Sequence, residues 1–219
     1  MCNRYIVSDP DRLAERFSVE EWNQIVKPNY NVAPTHMMPV VTASDDGKFH
    51  IEIMKWGIPR VIGKDMVRQL TNTKSEKAFE RFWKRTVTSN RCLVPATAFY
   101  EWKGVAGAKI PYYIHPKNEG LFAFAGIWDE WTGEGGQKIN TYSIMTTEPN
   151  KEMRDIHNRM PVILHRENES AWLGSSASTI DDIEPLLRPY EDGGLEIIEA
   201  SRDVNNVRNN YKELLPVTQ

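Results

Sequence analysis

The chain has 219 residues, 40% of them hydrophobic and 10% aromatic, with a formal net charge of −3. That length and apolar content support a substantial core, so residues 1–219 are read as one domain rather than a chain of modules. No run reaches the apolar length of a membrane-spanning helix, and Met1-Cys2-Asn3-Arg4-Tyr5 lacks the basic and apolar regions of a signal peptide, so an intracellular, cytoplasmic protein without a membrane partner is expected.

In chain order, residues 4–7 read as a short strand. Ser8-Asp9-Pro10 then reads as a helix start with proline in the first turn, ahead of Leu13, Ala14 and Phe17. Apolar, β-branched and aromatic runs predict strands over 39–42, 49–56, 92–102, 111–114, 122–128 and 142–146, the last two joined through Gly133-Glu134-Gly135-Gly136. A further apolar strand falls at 162–164. Helices are predicted over 75–85, opened by a capping box Thr73-x-x-Glu76, over 150–156, around 169–173 and over 180–187. The fold class is therefore α+β: a β-rich curled sheet or open barrel core with peripheral helices, in a single domain.

Two cysteines, Cys2 and Cys92, are too few for a disulfide framework. The five histidines have no metal-ligand spacing, so reduced thiols, no metal and no cofactor are expected. Charge is unevenly placed: between positions 55 and 91 ten basic residues stand against three acidic ones, a balance of +7 against −10 for the rest. A polyanion would meet one basic region, although a solvated helix face with a charged loop accounts for the same composition.

Four residues stand out for chemistry. Cys2, once Met1 is removed, carries an amine and a thiol on adjacent carbons. Its α-amine, with an ordinary pKa of about 7.7–8.0, attacks an aldehyde to give an imine, and the thiol then closes a five-membered thiazolidine. Taken alone, a cysteine at position 2 is more often accidental than catalytic. Glu101 sits in Ala98-Phe99-Tyr100-Glu101-Trp102, where burial between aromatics would raise its pKa and fit it for proton transfer. An exposed strand glutamate fits that run equally well. His157 lies between a predicted helix and the 162–164 strand, where an imidazole can shuttle a proton or serve structure only. Asn72, ahead of the 75–85 helix, can donate and accept at a reacting oxygen, and reads equally as a loop asparagine.

These residues fall within an ordered series of motifs: Met1-Cys2-x-Arg4-Tyr5, Tyr30-Asn31-Val32-Ala33-Pro34, Trp56-Gly57-Ile58-Pro59, Asn72-x-Lys74-Ser75-Glu76 and Arg91-Cys92-Leu93-Val94-Pro95-Ala96. Phe99-Tyr100-Glu101-Trp102, Phe124-Ala125-Gly126-Ile127-Trp128, Thr146-Thr147 and His157-x-Arg159-Met160-Pro161-Val162 complete it. Each is weak alone; together, from position 1 to about 206, they resemble the SOS-response-associated-peptidase (SRAP) family of abasic-site-processing proteins, leaving 207–219 as a C-terminal tail.

The resemblance implies a basic groove at whose base Cys2 cross-links to an abasic sugar in single-stranded DNA, with lyase and self-processing peptidase activities and no cofactor. By the same carry-over, Asn72 orients the reacting groups, Glu101 handles protons, and His157 assists ring opening and adduct reversal. Arg4, Lys74 and Arg159 match positions that contact DNA phosphates. Pro34 and Trp56 match apolar positions near the bases, where an aromatic ring would stack. The chain departs from the family pattern at Asn3, where glycine is usual, at Lys74, where arginine is usual, and at Ala98, where glycine is common. Two other readings remain: a cysteine peptidase or N-terminal-nucleophile amidohydrolase with Cys2 as thiolate, and a non-catalytic single-stranded nucleic-acid binder.

Overall fold

The computed structural model describes residues 2–62, 66–105, 107–133, 135–174 and 179–216. Met1, Lys64, Asp65, Glu134 and the last three residues of the tail, all of which bear on the expectations above, lie outside them. The strands are β1 (Tyr5–Val7), β2 (Asn29–Val32), β3 (Met37–Ala43), β4 (Phe49–Trp56), β5 (Ile58–Ile62), β6 (Met66–Leu70), β7 (Asn72–Lys74) and β8 (Arg91–Ala96). They continue with β9 (Ala98–Lys103), β10 (Ile110–Pro116), β11 (Phe122–Thr132), β12 (Lys138–Thr147), β13 (Met160–Pro161), β14 (Ile163–Leu164) and β15 (Leu195–Glu199). The helices are short: α1 (Leu13–Arg16), α2 (Lys84–Ser89), α3 (Lys151–Arg154), α4 (Arg166–Leu173) and α5 (Ile180–Ile183).

Two sheets carry the fold. β12, β4, β3, β8 and β11 pair in that order, and β11 pairs back to β12, so the curled sheet closes into a five-stranded barrel. A second sheet runs β15-β10-β9-β1-β2. Side chains on successive strand residues point to opposite faces, and the barrel strands divide accordingly. Val40, Met54, Trp56, Cys92, Val94, Phe124, Tyr142 and Ile144 form one core together with Cys2, Tyr5, Val7, Phe99 and Ile114 of the second sheet and its leading residues. Val41, Ile51, Leu93, Ala125 and Met145 face the other way, onto Leu13, Phe17, Val87, Trp172 and Ile183 of the helical segments. The expected β-rich core with peripheral helices is therefore what forms, and each buried large apolar side chain contributes about 1.5–3 kcal/mol.

Two predicted elements differ. The run 92–102 is two strands, because the chain leaves one sheet for the other at Thr97, whose backbone N–H donates to Ile6 O at 2.8 Å. The predicted helix over 75–85 is a 3-10 turn at Ser75–Lys77, with α2 starting only at Lys84. Its proposed capping box does not form: the Thr73 hydroxyl is buried against Ser143 Oγ at 3.0 Å, and the Glu76 carboxylate is bound by Arg159. Asn150 does cap α3, its side chain accepting from Met153 N at 3.0 Å.

Gly126 of β11 lies against β8, where an added Cβ would come within 2.8 Å of Cys92 Sγ and of a Val94 methyl. Only glycine lets those strands pair at that point.

Candidate active site

β1 and β9 pair antiparallel with Tyr5 opposite Phe99, and Tyr100 N donates to Arg4 O at 3.0 Å. Continuing this register carries Glu101 alongside the first residues of the chain. β7 pairs in parallel with β12, Asn72 opposite Ile144. Thr73 is buried while Asn72 and Lys74 project to the other side, as the two-residue period of a strand requires. His157 follows α3, its backbone N–H bonded to Met153 O at 2.8 Å. Three remote segments thereby meet at the N-terminal residues.

Asn72 Nδ2 donates to Cys2 O at 2.9 Å. Flipping that amide would set its oxygen against both Cys2 O and Asn3 Oδ1, so the network fixes the nitrogen on this side. Asn72 Oδ1, on the far side, is buried without a hydrogen-bond partner among the described residues. The Cys2 side chain is fully buried, with its thiol donating to Arg4 O at 3.6 Å. Burial, reinforced by the Glu101 carboxylate, pushes that thiol up to about 12 from an ordinary 9.0. At neutral pH it is a thiol and not a thiolate.

Glu101 is only 4% exposed, and its Oε1 accepts from Trp102 N at 3.1 Å. The reading of Glu101 as an exposed strand residue is thus set aside. Half-burial holds His157 below its ordinary value, an effect the nearby Glu101 carboxylate opposes. Its Nδ1 lies 3.0 Å from Arg159 N and 3.2 Å from Arg159 O, which holds the ring against the backbone leading into β13. Glu101 and His157 line one cleft of about 500 Å³ with Asn3, Arg4, Trp102, Lys109 and Asn205. Cys2 lies just beneath it. The arrangement sets two titratable side chains, Glu101 and His157, beside a buried thiol.

The residues expected to meet DNA are more scattered. Arg4 lines the cleft half-buried, its NH1 donating to Asn3 O at 3.0 Å while its Nε has no partner among the described residues. Lys74 is exposed, and Pro34 is partly exposed in the turn after β2. Arg159 is already engaged: it makes two parallel bonds to Glu76, at 2.7 and 2.8 Å, and one to Thr146 O at 2.5 Å. Arg91 of the basic segment is buried, its guanidinium satisfying Val87 O, Thr88 O, Trp172 O and Gly174 O, so it adds nothing to a basic surface. Arg60 pairs with Asp129 at 2.6 Å.

Trp56 requires correction. Its side chain is entirely buried, stacked at 6.3 Å on Tyr142 and edge-on to Tyr5, so no base reaches its ring. Its indole Nε1 donates to Thr71 O at 2.9 Å, which anchors the backbone just before Asn72. Gly57, next in the chain, adopts φ +114°, a conformation that favours glycine. The aromatic on the cleft itself is Trp102, with the Arg4 guanidinium 6.0 Å above its ring and its Nε1 donating to Asn205 Oδ1 at 2.7 Å. Trp102 was visible in the sequence beside Glu101. Asn205 and Lys109 carry no local signal and enter the cleft only by folding.

The departures at Asn3 and Ala98 are accommodated. The non-glycine residues with positive φ among those described are Ser18 and Thr35, so Asn3 needs no glycine-like backbone. Ala98 is buried in β9 opposite Ile6 without breaking the pairing.

A family model described as SOS response associated peptidase (SRAP) matches residues 1–207. Abasic site processing protein YoqW of Bacillus subtilis is 37% identical over 226 residues, covering 98% of this chain and 99% of that protein. Abasic site processing protein HMCES of Gallus gallus is 29% identical, covering 86% of this chain and 66% of that protein. A crystal structure of a protein from Bacteroides thetaiotaomicron superimposes with a TM-score of 0.79 at 26% identity, over 92% of this chain and 93% of that one.

Proposed function

The chain belongs to the SOS response associated peptidase family, and from that premise we propose that it processes abasic sites in single-stranded DNA by covalent capture at Cys2. The observation that carries this reading is the joining of Cys2 to Asn72 at 2.9 Å beneath a cleft lined by Glu101 and His157. Its relatives YoqW and HMCES are named abasic site processing proteins, which supports this reading.

The protonation state of Cys2 sets the order of events. A thiol held near 12 is a poor nucleophile at neutral pH. A free α-amine, at about 7.7–8.0, is partly neutral there. The amine therefore leads. Removal of Met1, by limited self-cleavage or another route, frees it. It adds to C1 of the open-chain sugar and passes one proton to the carbonyl oxygen, Glu101 takes the second proton from the nitrogen and gives it to the carbinolamine oxygen, and water leaves to give the imine. The thiol then adds to the imine carbon while its proton passes through Glu101 to the nitrogen. Aldehyde, amine and thiol become thiazolidine and one water, with no redox change. His157, held neutral by its half-burial, assists opening of the sugar ring and reversal of the adduct. The imine also permits β-elimination, with loss of the 3′ phosphate, which is the lyase activity proposed here. Arg4, Lys74 and Arg159 hold phosphates, and the turn at Pro34 approaches the bases. The same raised thiol disfavours a general cysteine peptidase, which needs a thiolate.

The test is a denaturing gel of Met1-free protein mixed with abasic single-stranded DNA. Wild type is expected to give a heat-stable adduct without reductant. Cys2→Ala, which keeps the amine but cannot close the ring, should give a heat-labile adduct that borohydride traps. Equal heat-stable adduct from both proteins would exclude the thiazolidine and point to a lysine.

A further inference from the structure

Asn72 Nδ2 carries two hydrogens, yet three acceptors surround it: Cys2 O at 2.9 Å, Asn3 Oδ1 at 3.1 Å and Thr71 Oγ1 at 3.1 Å. The Thr71 hydroxyl in turn donates to Asn3 Oδ1 at 3.3 Å. One side-chain oxygen thus collects an amide N–H and a hydroxyl, two neighbouring donors of which the first also holds Cys2 O. Asn3 itself is exposed on that cleft, between the buried Cys2 and the solvent, with no left-handed backbone to restrain it. An exposed side chain held by two neutral hydrogen bonds is displaceable, since such bonds shift an equilibrium by about 2- to 10-fold each.

Resting on the proposed reading of Asn72 as the group that orients the reacting sugar, we infer that Asn3 is a specificity-determining latch: its Oδ1 occupies the place of a substrate oxygen, and the abasic sugar enters by replacing it. A hydroxylated sugar restores the bonds to Asn72 and Thr71 that it breaks. A simple aldehyde displaces Asn3 and leaves both donors unsatisfied, so it is held back. The latch thereby favours an abasic site over the small aldehydes of the cell at a nucleophile that would otherwise trap either.

The experiment measures capture rates of Met1-free protein with abasic single-stranded DNA and with propanal, by intact mass, and takes their ratio. Asn3→Gly is expected to accelerate the propanal reaction more than the DNA reaction, lowering the ratio about 2- to 10-fold. Thr71→Val, which removes one of the two bonds, should lower it less. In an Asn72→Ala background Asn3→Gly should move the ratio less, because only the Thr71 bond then holds the latch. A ratio unmoved by Asn3→Gly, or moved equally with and without Asn72, overturns the latch while the capture reading stands. Wild type that forms no adduct with abasic DNA overturns the capture reading, and the latch with it.

Discussion

At the scale of single residues, the proposed site is governed by what burial does to charge. Cys2 and Glu101 are both buried, and the thiol is pushed up to about 12 first by burial and then by the carboxylate beside it. Such a pair suits chemistry in which the thiol stays protonated until an electrophile, the imine, is already in place. In the proposed mechanism Glu101 takes and returns protons at two steps. Glu101→Gln keeps the size and the bond to Trp102 N but removes that capacity, so capture is expected to slow by about 10²–10⁴-fold with the fold intact. Single-turnover kinetics checked against the thermal transition separate the two effects, and a wild-type rate would remove Glu101 from the proton transfers. Glu101 was legible as a candidate because aromatics flank it. That Trp56 was the wrong aromatic for base stacking was not legible, since a tryptophan in a strand reads the same whether its face is covered or open.

At the scale of elements, β7 and the 3-10 turn after it matter most. β7 is three residues long and would not stand alone; its parallel pairing with β12 and the Trp56 anchor on Thr71 O hold Asn72 against Cys2. The Arg159–Glu76 pair ties this turn to the loop before β13. Because Glu76 is about half exposed, the pair adds little stability, of order 0–1 kcal/mol. Its consequence lies in binding: while Glu76 holds both guanidinium nitrogens, Arg159 is less available to a phosphate. Glu76→Ala is therefore expected to tighten binding of single-stranded DNA and to steepen the slope of log K against log salt by about 0.7, one phosphate's worth. Lys74→Ala should make the slope shallower by a similar amount. Unchanged slopes in both variants would remove Arg159 and Lys74 from the DNA contacts.

At the scale of the whole molecule, the core shared by the barrel and the second sheet encloses Cys2, Cys92, Tyr5 and Tyr142, the last two joined through their hydroxyls at 2.6 Å. Burial raises all four groups above their ordinary values. The sign follows from linkage. In the unfolded chain these groups lose protons once the pH passes about 9–10, whereas in the folded chain they keep them, so the unfolded state binds fewer protons and stability falls as pH rises. The melting temperature should hold level between about pH 7 and 8.5 and decline from about pH 9 towards 12, where Cys2 itself ionises in the fold. Cys92→Ala should make that decline shallower. Thermal denaturation followed across this range decides it, and a level melting temperature up to pH 11 would contradict the burial of these groups.

The sequence by itself determined the α+β class, most strands of the barrel and the family, because apolar alternation and ordered motifs are local in the chain and survive as local patterns. It also singled out Cys2, Asn72, Glu101 and His157. Only the tertiary structure decided that the curled sheet closes through β11 and β12, that 92–102 divides between two sheets, and that Arg91 and Trp56 serve the core while Arg159 is already paired. These outcomes depend on which face of an element is covered, and by what. A partner 69 or more positions away, as Asn72 is from Asn3 and Asn205 from Trp102, leaves no mark on the local pattern. Pairing of that kind is settled by the closure of the sheets, which brings distant donors and acceptors into a space where each must be satisfied.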